Sequence, residues 1–431
     1  MKAFALYSDY LHRLVAARLG TDPSEDNLSR IEAALNGQPA ARLRELVPIS
    51  KLRSEGAFFT GSCLSAWALQ LWSDSIWDDA VFYDPACGAG DLLLACAQEY
   101  LRRTGLSQPA STLTQRFMGR DIHPEFVSAT HARLALTLLG AGARIDSSSE
   151  LARAFSQIQT GSGTEAHDAL EKATHIIVNP PFRKVRAPGA CPWAQGTVNS
   201  AALFMADLVE KSTPGTLILA ILPDVLRSGS RYAKWRRFVE ERARVASVRV
   251  YGRFDKDTDV DVFVLSLAVR AAPHADVDAI WLPRLVGDSK TVGDHFSISV
   301  GHVVDYRAKH QGPRVPFVRT GDLPPWIVLR EVDSRRRWNG TMVKPPFVAL
   351  RRTSAPGDPA RAPATIIAGK RPVAVENHLI ILKPYDGKLG TCHKLITVLQ
   401  SSKTDAWLDQ RIRCRHLTVG SVAELPWWSG T

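Results

Sequence analysis

The chain has 431 residues, 45% of them hydrophobic and 23% charged, which is ample material for packed cores and, by length, about two or three domains. It contains no unbroken apolar run of membrane-spanning length and no basic leader followed by an apolar stretch, so neither a membrane span nor a secretion signal is expected. Its net charge of +11 is uneven: residues 271–431 hold 23 Lys and Arg against 14 Asp and Glu, whereas residues 1–270 are near neutral. That bias points to a polyanionic partner.

The six cysteines (63, 87, 96, 191, 392 and 414) form no CxxC pair and match no zinc spacing. No metal site is expected, and unpaired thiols fit a reducing, cytoplasmic setting.

Residues 1–50 read as helices, with Leu11, Leu14, Val15 and Leu19 at helical spacing and Ile31, Leu35, Leu43 and Leu46 continuing the pattern. A charged turn, Lys51 to Gly56, follows. From 80 to 270, short apolar runs alternate with amphipathic segments. Strands are expected at 81–83, 116–118, 175–178, 216–222, 245–250 and 260–269, and helices at 92–103, 124–139, 201–211 and 230–244. This alternation predicts an α/β domain with a doubly wound, mostly parallel sheet. The last two strands have no helix between them and are expected as an antiparallel pair at one edge. After about 272, Pro and Gly become frequent and β-like runs appear at 347–350, 365–367 and 379–382, predicting a smaller, loop-rich, mostly β module. The expected division is 1–50, 51–271 and 272–431.

Asp84-Pro85-Ala86-Cys87-Gly88-Ala89-Gly90-Asp91 lies between a strand and a helix, where open α/β sheets bind ligands. Gly88 and Gly90 permit a sharp turn and close approach of a ligand to the backbone. The loop is neither a Walker A motif nor a full GxGxxG. Asp121, at the end of the second strand, is placed to accept both ribose hydroxyls of a nucleoside cofactor, or else to cap the helix beginning at Pro124. Cys87 has no basic partner in sequence and reads as a loop-lining residue rather than a nucleophile.

Asn179-Pro180-Pro181-Phe182 directly follows the strand expected at 175–178. Two prolines force the chain out of the sheet into a rigid corner. The Asn179 carboxamide oxygen and the Pro180 carbonyl form a pair of acceptors for the two protons of one amino group. Phe182 offers a face on which a base can stack.

Taken together, these segments resemble motifs I (84–90) and IV (179–182) of the amino-directed DNA methyltransferases, in the order of the γ group of N6-adenine enzymes. Gly56-Ala57-Phe58-Phe59-Thr60 is similar to that group's motif X and Asp121 to its motif II, while residues 203–269 resemble the later catalytic motifs of the type I and type IIG branches. The resemblance implies the class I S-adenosylmethionine-dependent methyltransferase fold. It implies a cofactor, S-adenosylmethionine, held by Phe59, Thr60, Asp84, Ala86, Cys87, Gly88, Gly90, Asp121 and Ile122. Asn179, Pro180, Pro181 and Phe182 would be catalytic, acting on an adenine rotated out of double-stranded DNA. One departure stands out: the family's acid after the third strand has no counterpart in Ile158–Gly163.

The resemblance also implies a target-recognition role for the C-terminal module, with fragments at 315–319 and 375–379. Its DNA-contact candidates are Arg335, Arg336 and Arg337, Arg351 and Arg352, Lys370 and Arg371, and Arg411, Arg413 and Arg415. The implied setting is a restriction–modification or related phage-defence system, with a restriction endonuclease or specificity partner. Two other readings share these residues: a non-catalytic DNA-binding homologue, and an Asn-Pro-Pro methyltransferase acting on RNA or on a protein glutamine.

Overall fold

The computed structural model describes residues 1–20, 25–72, 77–105, 110–143, 154–255, 258, 260–274, 281–282, 290–304 and 311–428. The chain forms two compact units, one of Met1–Arg227 with Arg231–Ala279, the other of Ser228–Ser230 with Ile280–Thr431.

The first unit is built on a seven-stranded sheet. Its strands in chain order are β1 (Phe82–Asp84), β2 (Phe117–Asp121), β3 (Ile158–Thr160), β4 (His175–Val178), β7 (Leu217–Pro223), β8 (Ala243–Arg253) and β9 (Asp261–Val269); β5 (Lys184–Arg186) and β6 (Thr197–Asn199) form a separate two-stranded ribbon. The order across the sheet is β3-β2-β1-β4-β7-β9-β8. The first five are parallel, and β9 is antiparallel to both β7 and β8. The antiparallel edge expected from the missing helix is therefore present, with the later strand inserted inside. The reason lies in composition. Asp261–Val269 is almost continuously apolar and is buried along most of its length, whereas Ala243–Arg253 alternates and exposes its basic residues on the rim.

The helices cover both sheet faces. Asp91–Thr104 and Pro124–Gly140 match the expected spans to within a residue or so. The basic helix expected at 230–244 is shorter, Ala233–Arg242, because the backbone turns into β8 at Ala243. The N-terminal helices, from Ala5–Leu19 to Ile49–Glu55, belong to the same unit as the sheet. Phe4 anchors them: its ring meets Phe59 and Phe126 edge-on, at 5.7 and 5.2 Å between centroids.

The second unit holds a five-stranded sheet of order β10-β17-β14-β15-β12 and a three-stranded sheet of order β13-β11-β16. Their spans are β10 (Phe296–Val300), β11 (Arg314–Val318), β12 (Val328–Leu329), β13 (Arg335–Arg337), β14 (Phe347–Arg351), β15 (Ala364–Ile367), β16 (Ala374–Val375) and β17 (Leu379–Pro384). Helices Leu389–Gln400, Ser402–Arg411 and Val419–Ala423 were not anticipated; Cys392, Leu395, Val398, Leu399 and Leu408 seal one face of the larger sheet. All six cysteines are free. Among the described residues no helix is long and apolar enough to cross a membrane.

Candidate active site

The glycine loop is shaped by its own side chains. Asp84 Oδ1 accepts the Ala86 N–H at 3.0 Å, and the Gly90 N–H donates to the Cys87 carbonyl at 2.8 Å. Gly88 and Gly90 lie at φ +52° and +91°. Their lack of a side chain is also steric: a Cβ on Gly88 would stand 3.0 Å from the Phe59 ring, and one on Gly90 would stand 2.9 Å from Thr130 Cγ2. Thr130 Oγ1 donates to the Gly88 carbonyl at 2.8 Å.

Helix Pro124–Gly140 has no side-chain cap, and Asp121 is held by two backbone donors. Its Oδ1 accepts the His123 N–H at 2.8 Å, shaping the entry to helix Pro124–Gly140, and its Oδ2 accepts the Gly88 N–H at 3.0 Å. It also lines a cleft of about 420 Å³ together with Glu55, Phe58, Phe59, Ile122 and Ser162. Burial pushes its carboxyl above the usual carboxylate range, and the two backbone N–H groups oppose that shift. Ile122 is 67% exposed, a large apolar side chain at the cleft wall.

A small cavity of about 30 Å³ adjoins this cleft; both are lined by Phe58, Phe59, Ala86, Gly88 and Asn179. The small one also contains Thr60, Asp84 and Cys87. The first-strand loop and the Asn-Pro-Pro corner therefore open onto the same space. Gly90, Pro180 and Phe182 support it without lining it.

The orientation of Asn179 is decided by its neighbours. Its Nδ2 donates to the Phe58 carbonyl at 3.3 Å and to Thr60 Oγ1 at 3.1 Å. A carbonyl can only accept, so the amide nitrogen must face it and Oδ1 must point away. That Oδ1 is buried and has no partner. The Pro180 carbonyl likewise has no donor among the described residues. The next carbonyl, of Pro181, accepts from Ser200 Oγ. The corner thus carries two acceptors with no donor among the described residues, Asn179 Oδ1 and the Pro180 carbonyl. Phe182 is half-buried, edge-on to Phe254 at 6.2 Å.

Sequence reasoning missed three supports. Thr60, expected at the cofactor, is a hydrogen-bond partner of Asn179. Gly56 sits directly beneath the corner: a Cβ there would stand 2.7 Å from the Phe182 nitrogen. Gly163 packs so closely that a Cβ would stand 1.9 Å from the Pro85 carbonyl oxygen, and its own carbonyl accepts from the Tyr83 hydroxyl at 2.7 Å. The loop after β3 therefore contributes backbone, not an acid. The acids lining the larger cleft are Glu55 and Asp121, and Glu55 lies 3.4 Å from His123.

These residues fit a nucleoside-bearing, cationic cofactor. Asp84 is fully buried, its Oδ2 has no partner, and burial holds its carboxyl well above the usual range. A cationic ligand would relieve that cost. Burial likewise pushes the Cys87 thiol up, which agrees with a lining role rather than a nucleophilic one.

In the second unit the basic candidates divide. Arg335, Arg337, Lys370 and Arg371 are exposed, and Arg335, Lys370 and Arg371 line one cavity of about 550 Å³. Arg336 is a correction: alternation along β13 turns it inward, where its guanidinium lies 5.5 Å from the Phe317 ring centroid. Arg351 is committed to the Leu323 carbonyl at 2.7 Å, and Arg352 is half-buried. Arg411 is buried and paired with Glu424 at 2.6 Å. Sequence clustering cannot separate inward from outward cations on a strand.

No protein-family model and no curated protein matches the chain. Solved structures do. MmeI, a type IIL restriction–modification enzyme in complex with DNA, aligns over 93% of this chain and 67% of its own, with 14% identity and a TM-score of 0.50. BpuSI, a type IIG restriction endonuclease, aligns over 84% of this chain and 57% of its own, with 14% identity and a TM-score of 0.44. A Listeria monocytogenes protein assigned to the class I S-adenosylmethionine-dependent methyltransferases aligns over 57% and 72%, with 15% identity and a TM-score of 0.40. The chain thus spans a little over half of BpuSI and two thirds of MmeI. With its β3-β2-β1-β4-β7-β9-β8 sheet, antiparallel at β9, and a cleft at the strand carboxyl ends, the chain carries the class I S-adenosylmethionine-dependent methyltransferase fold, and it shares its overall fold with MmeI over 93% of its length.

Proposed function

We propose that the protein transfers a methyl group from S-adenosylmethionine to the N6 amino group of adenine in double-stranded DNA. The observation that carries this reading is the buried, unpartnered Oδ1 of Asn179 beside the glycine loop. When bound, the cofactor supplies an electrophilic sulfonium methyl.

The chain's own groups do the rest. Asp121 and Ile122 take the ribose and adenine side of the cofactor, and Asp84 faces its positive charge. Asn179 Oδ1 and the Pro180 carbonyl accept the two N–H groups of the target. Holding both protons in fixed directions turns the nitrogen lone pair out of conjugation with the ring and toward the methyl. Transfer would form the N–C bond as the S–C bond breaks, leaving the cofactor as a neutral thioether, and the N6 proton released would pass to water; positioning supplies much of the rate. Phe182 stacks on the extruded base, which must leave the helix to expose N6. Residues 272–431 read the sequence, with Arg335, Arg337, Lys370 and Arg371 at phosphates or base edges, in a restriction–modification setting that pairs modification with a nuclease or specificity partner.

The test is incubation of the purified protein with labelled cofactor and mixed-sequence duplex DNA, followed by nucleoside digestion. N6-methyladenine is expected. Label on RNA or protein instead would redirect the assignment, and transfer undiminished in Asn179→Ala would remove the site.

A further inference from the structure

The chain leaves the Asn-Pro-Pro-Phe corner through Arg183, which lines the larger cleft, into a ribbon that lines neither cavity. β5 and β6 pair antiparallel outside the main sheet, in the register Lys184 with Asn199, Val185 with Val198 and Arg186 with Thr197. The ribbon starts two residues after Phe182 and returns at helix Ser200–Lys211, so it stands at the carboxyl edge of the sheet, beside the target corner.

It is firmly held. Ser200 N–H donates to the Arg183 carbonyl at 2.8 Å, the Arg183 N–H donates to Ser200 Oγ at 3.0 Å, and that hydroxyl donates to the Pro181 carbonyl. The Asn199 N–H donates to the Tyr232 hydroxyl at 2.9 Å, and Val198 and Trp193 are buried. One serine thus couples the base of the ribbon to the corner.

Its charge is one-sided. Arg183, Lys184 and Arg186 are exposed, and Lys184 and Arg186 share a face, as alternate strand residues must. Arg231 adds a fourth exposed cation, bonded to the Gln195 carbonyl at 3.2 Å. The sequence contains no Asp or Glu between Glu171 and Asp207. Among the described residues, Arg183, Lys184 and Arg186 make no ion pair. A solvated surface kept for solubility would mix both signs. Three exposed cations without an ion pair at the base and on one strand of the ribbon, with Arg231 fastened beside it, fit a row of anions.

We infer that this ribbon is a phosphate-binding strip that grips the DNA strand carrying the target adenine, beside the extruded nucleotide. The inference rests on the proposed DNA methylation and adds a second contact surface, within the catalytic unit, to the recognition module. Extrusion rotates a nucleotide about its backbone. Cations fastened to the corner through Ser200 would hold the flanking phosphates while the base turns.

The test uses the full chain and a mixed-sequence duplex oligonucleotide, with binding followed by fluorescence polarisation from low to moderate salt. Neutralising two cations in Lys184→Gln/Arg186→Gln should flatten the slope of log affinity against log salt by about 2 and weaken binding about tenfold or more at moderate salt. Lys184→Arg/Arg186→Lys should keep the wild-type slope. Cofactor affinity by calorimetry should match wild type in both, which separates the strip from loss of fold. An unchanged slope in the neutral variant overturns the inference, as does an equal loss in the charge-retaining variant. Failure of the methylation reading shows separately, as a wild-type protein that binds no S-adenosylmethionine and labels no DNA.

Discussion

Arg133 Nη1 lies 2.7 Å from Asp91 Oδ1 and 2.5 Å from the Ala89 carbonyl, so one buried guanidinium fastens helix Pro124–Gly140 to the glycine loop. Its other nitrogens donate to the Ala34 and Leu35 carbonyls at 2.9 and 3.2 Å, at the end of helix Glu25–Leu35. Asp91 Oδ2 in turn accepts the Gly61 N–H at 2.8 Å, next to Thr60. Arg133 is 1% exposed. Replacing it by Met should cost about 3 kcal/mol, because Asp91 loses its cationic partner and the Ala34, Leu35 and Ala89 carbonyls lose their donor. Urea unfolding measures the loss, and Asp91→Asn combined with Arg133→Met should recover part of it. A loss below about 1 kcal/mol would show that the fastening is unimportant.

Asn179→Ala should bind S-adenosylmethionine normally yet lose methyl transfer by about 10²–10³-fold in kcat, by analogy with removal of one positioned hydrogen-bonding group from an active site. Thr60→Val should lose less, because Thr60 orients the amide that does the accepting. Single-turnover kinetics at saturating DNA make the comparison.

Two glycines should separate the halves of the cleft. Gly163→Ala forces a methyl against the Pro85 carbonyl and should weaken cofactor binding. Gly56→Ala, at φ +68° and 2.7 Å from the Phe182 nitrogen, should displace the target corner instead. Calorimetry with cofactor and turnover with DNA read the two effects, and identical phenotypes would contradict the division.

Asp84 sets a pH dependence. Its folded carboxyl titrates well above the usual range because burial disfavours the anion. In the unfolded chain the same group ionises earlier. Between those two values the folded state holds the extra proton, so stability of the free protein should fall as pH rises through that window. A cationic cofactor favours the anion, so its affinity should rise over the same window. Asp84→Asn should flatten both trends; calorimetric titration across acidic to neutral pH would show whether it does.

Much of the first unit is legible because it is written in local terms. Apolar runs such as Leu217–Pro223 and periodic helices such as Pro124–Gly140 declare their structure through a period of two or 3.6 residues. The Pro-Pro corner and the glycine turn declare theirs through backbone restriction. The C-terminal helices are harder to read because Pro- and Gly-rich segments precede them, although Cys392, Leu395 and Leu399 recur at helical spacing in Leu389–Gln400.

The sequence by itself determined the order of the principal strands and helices of the first unit, the position of the turn residues and the presence of two acceptors at Asn179 and Pro180, since these follow from side-chain volume, backbone freedom and donor inventory along a short stretch of chain. Tertiary structure alone decided which acceptors are left unpaired. Thr60 and Phe58, about 120 residues away, consume the donors of Asn179 and leave its oxygen free. Only folding could show that Gly56 and Gly163 are close-approach points, that Arg133 is a buried tie, and that Arg336 faces inward while Arg335 does not. Hydrogen bonding and burial are properties of what chain meets what, and those meetings are made across distances that no local pattern encodes.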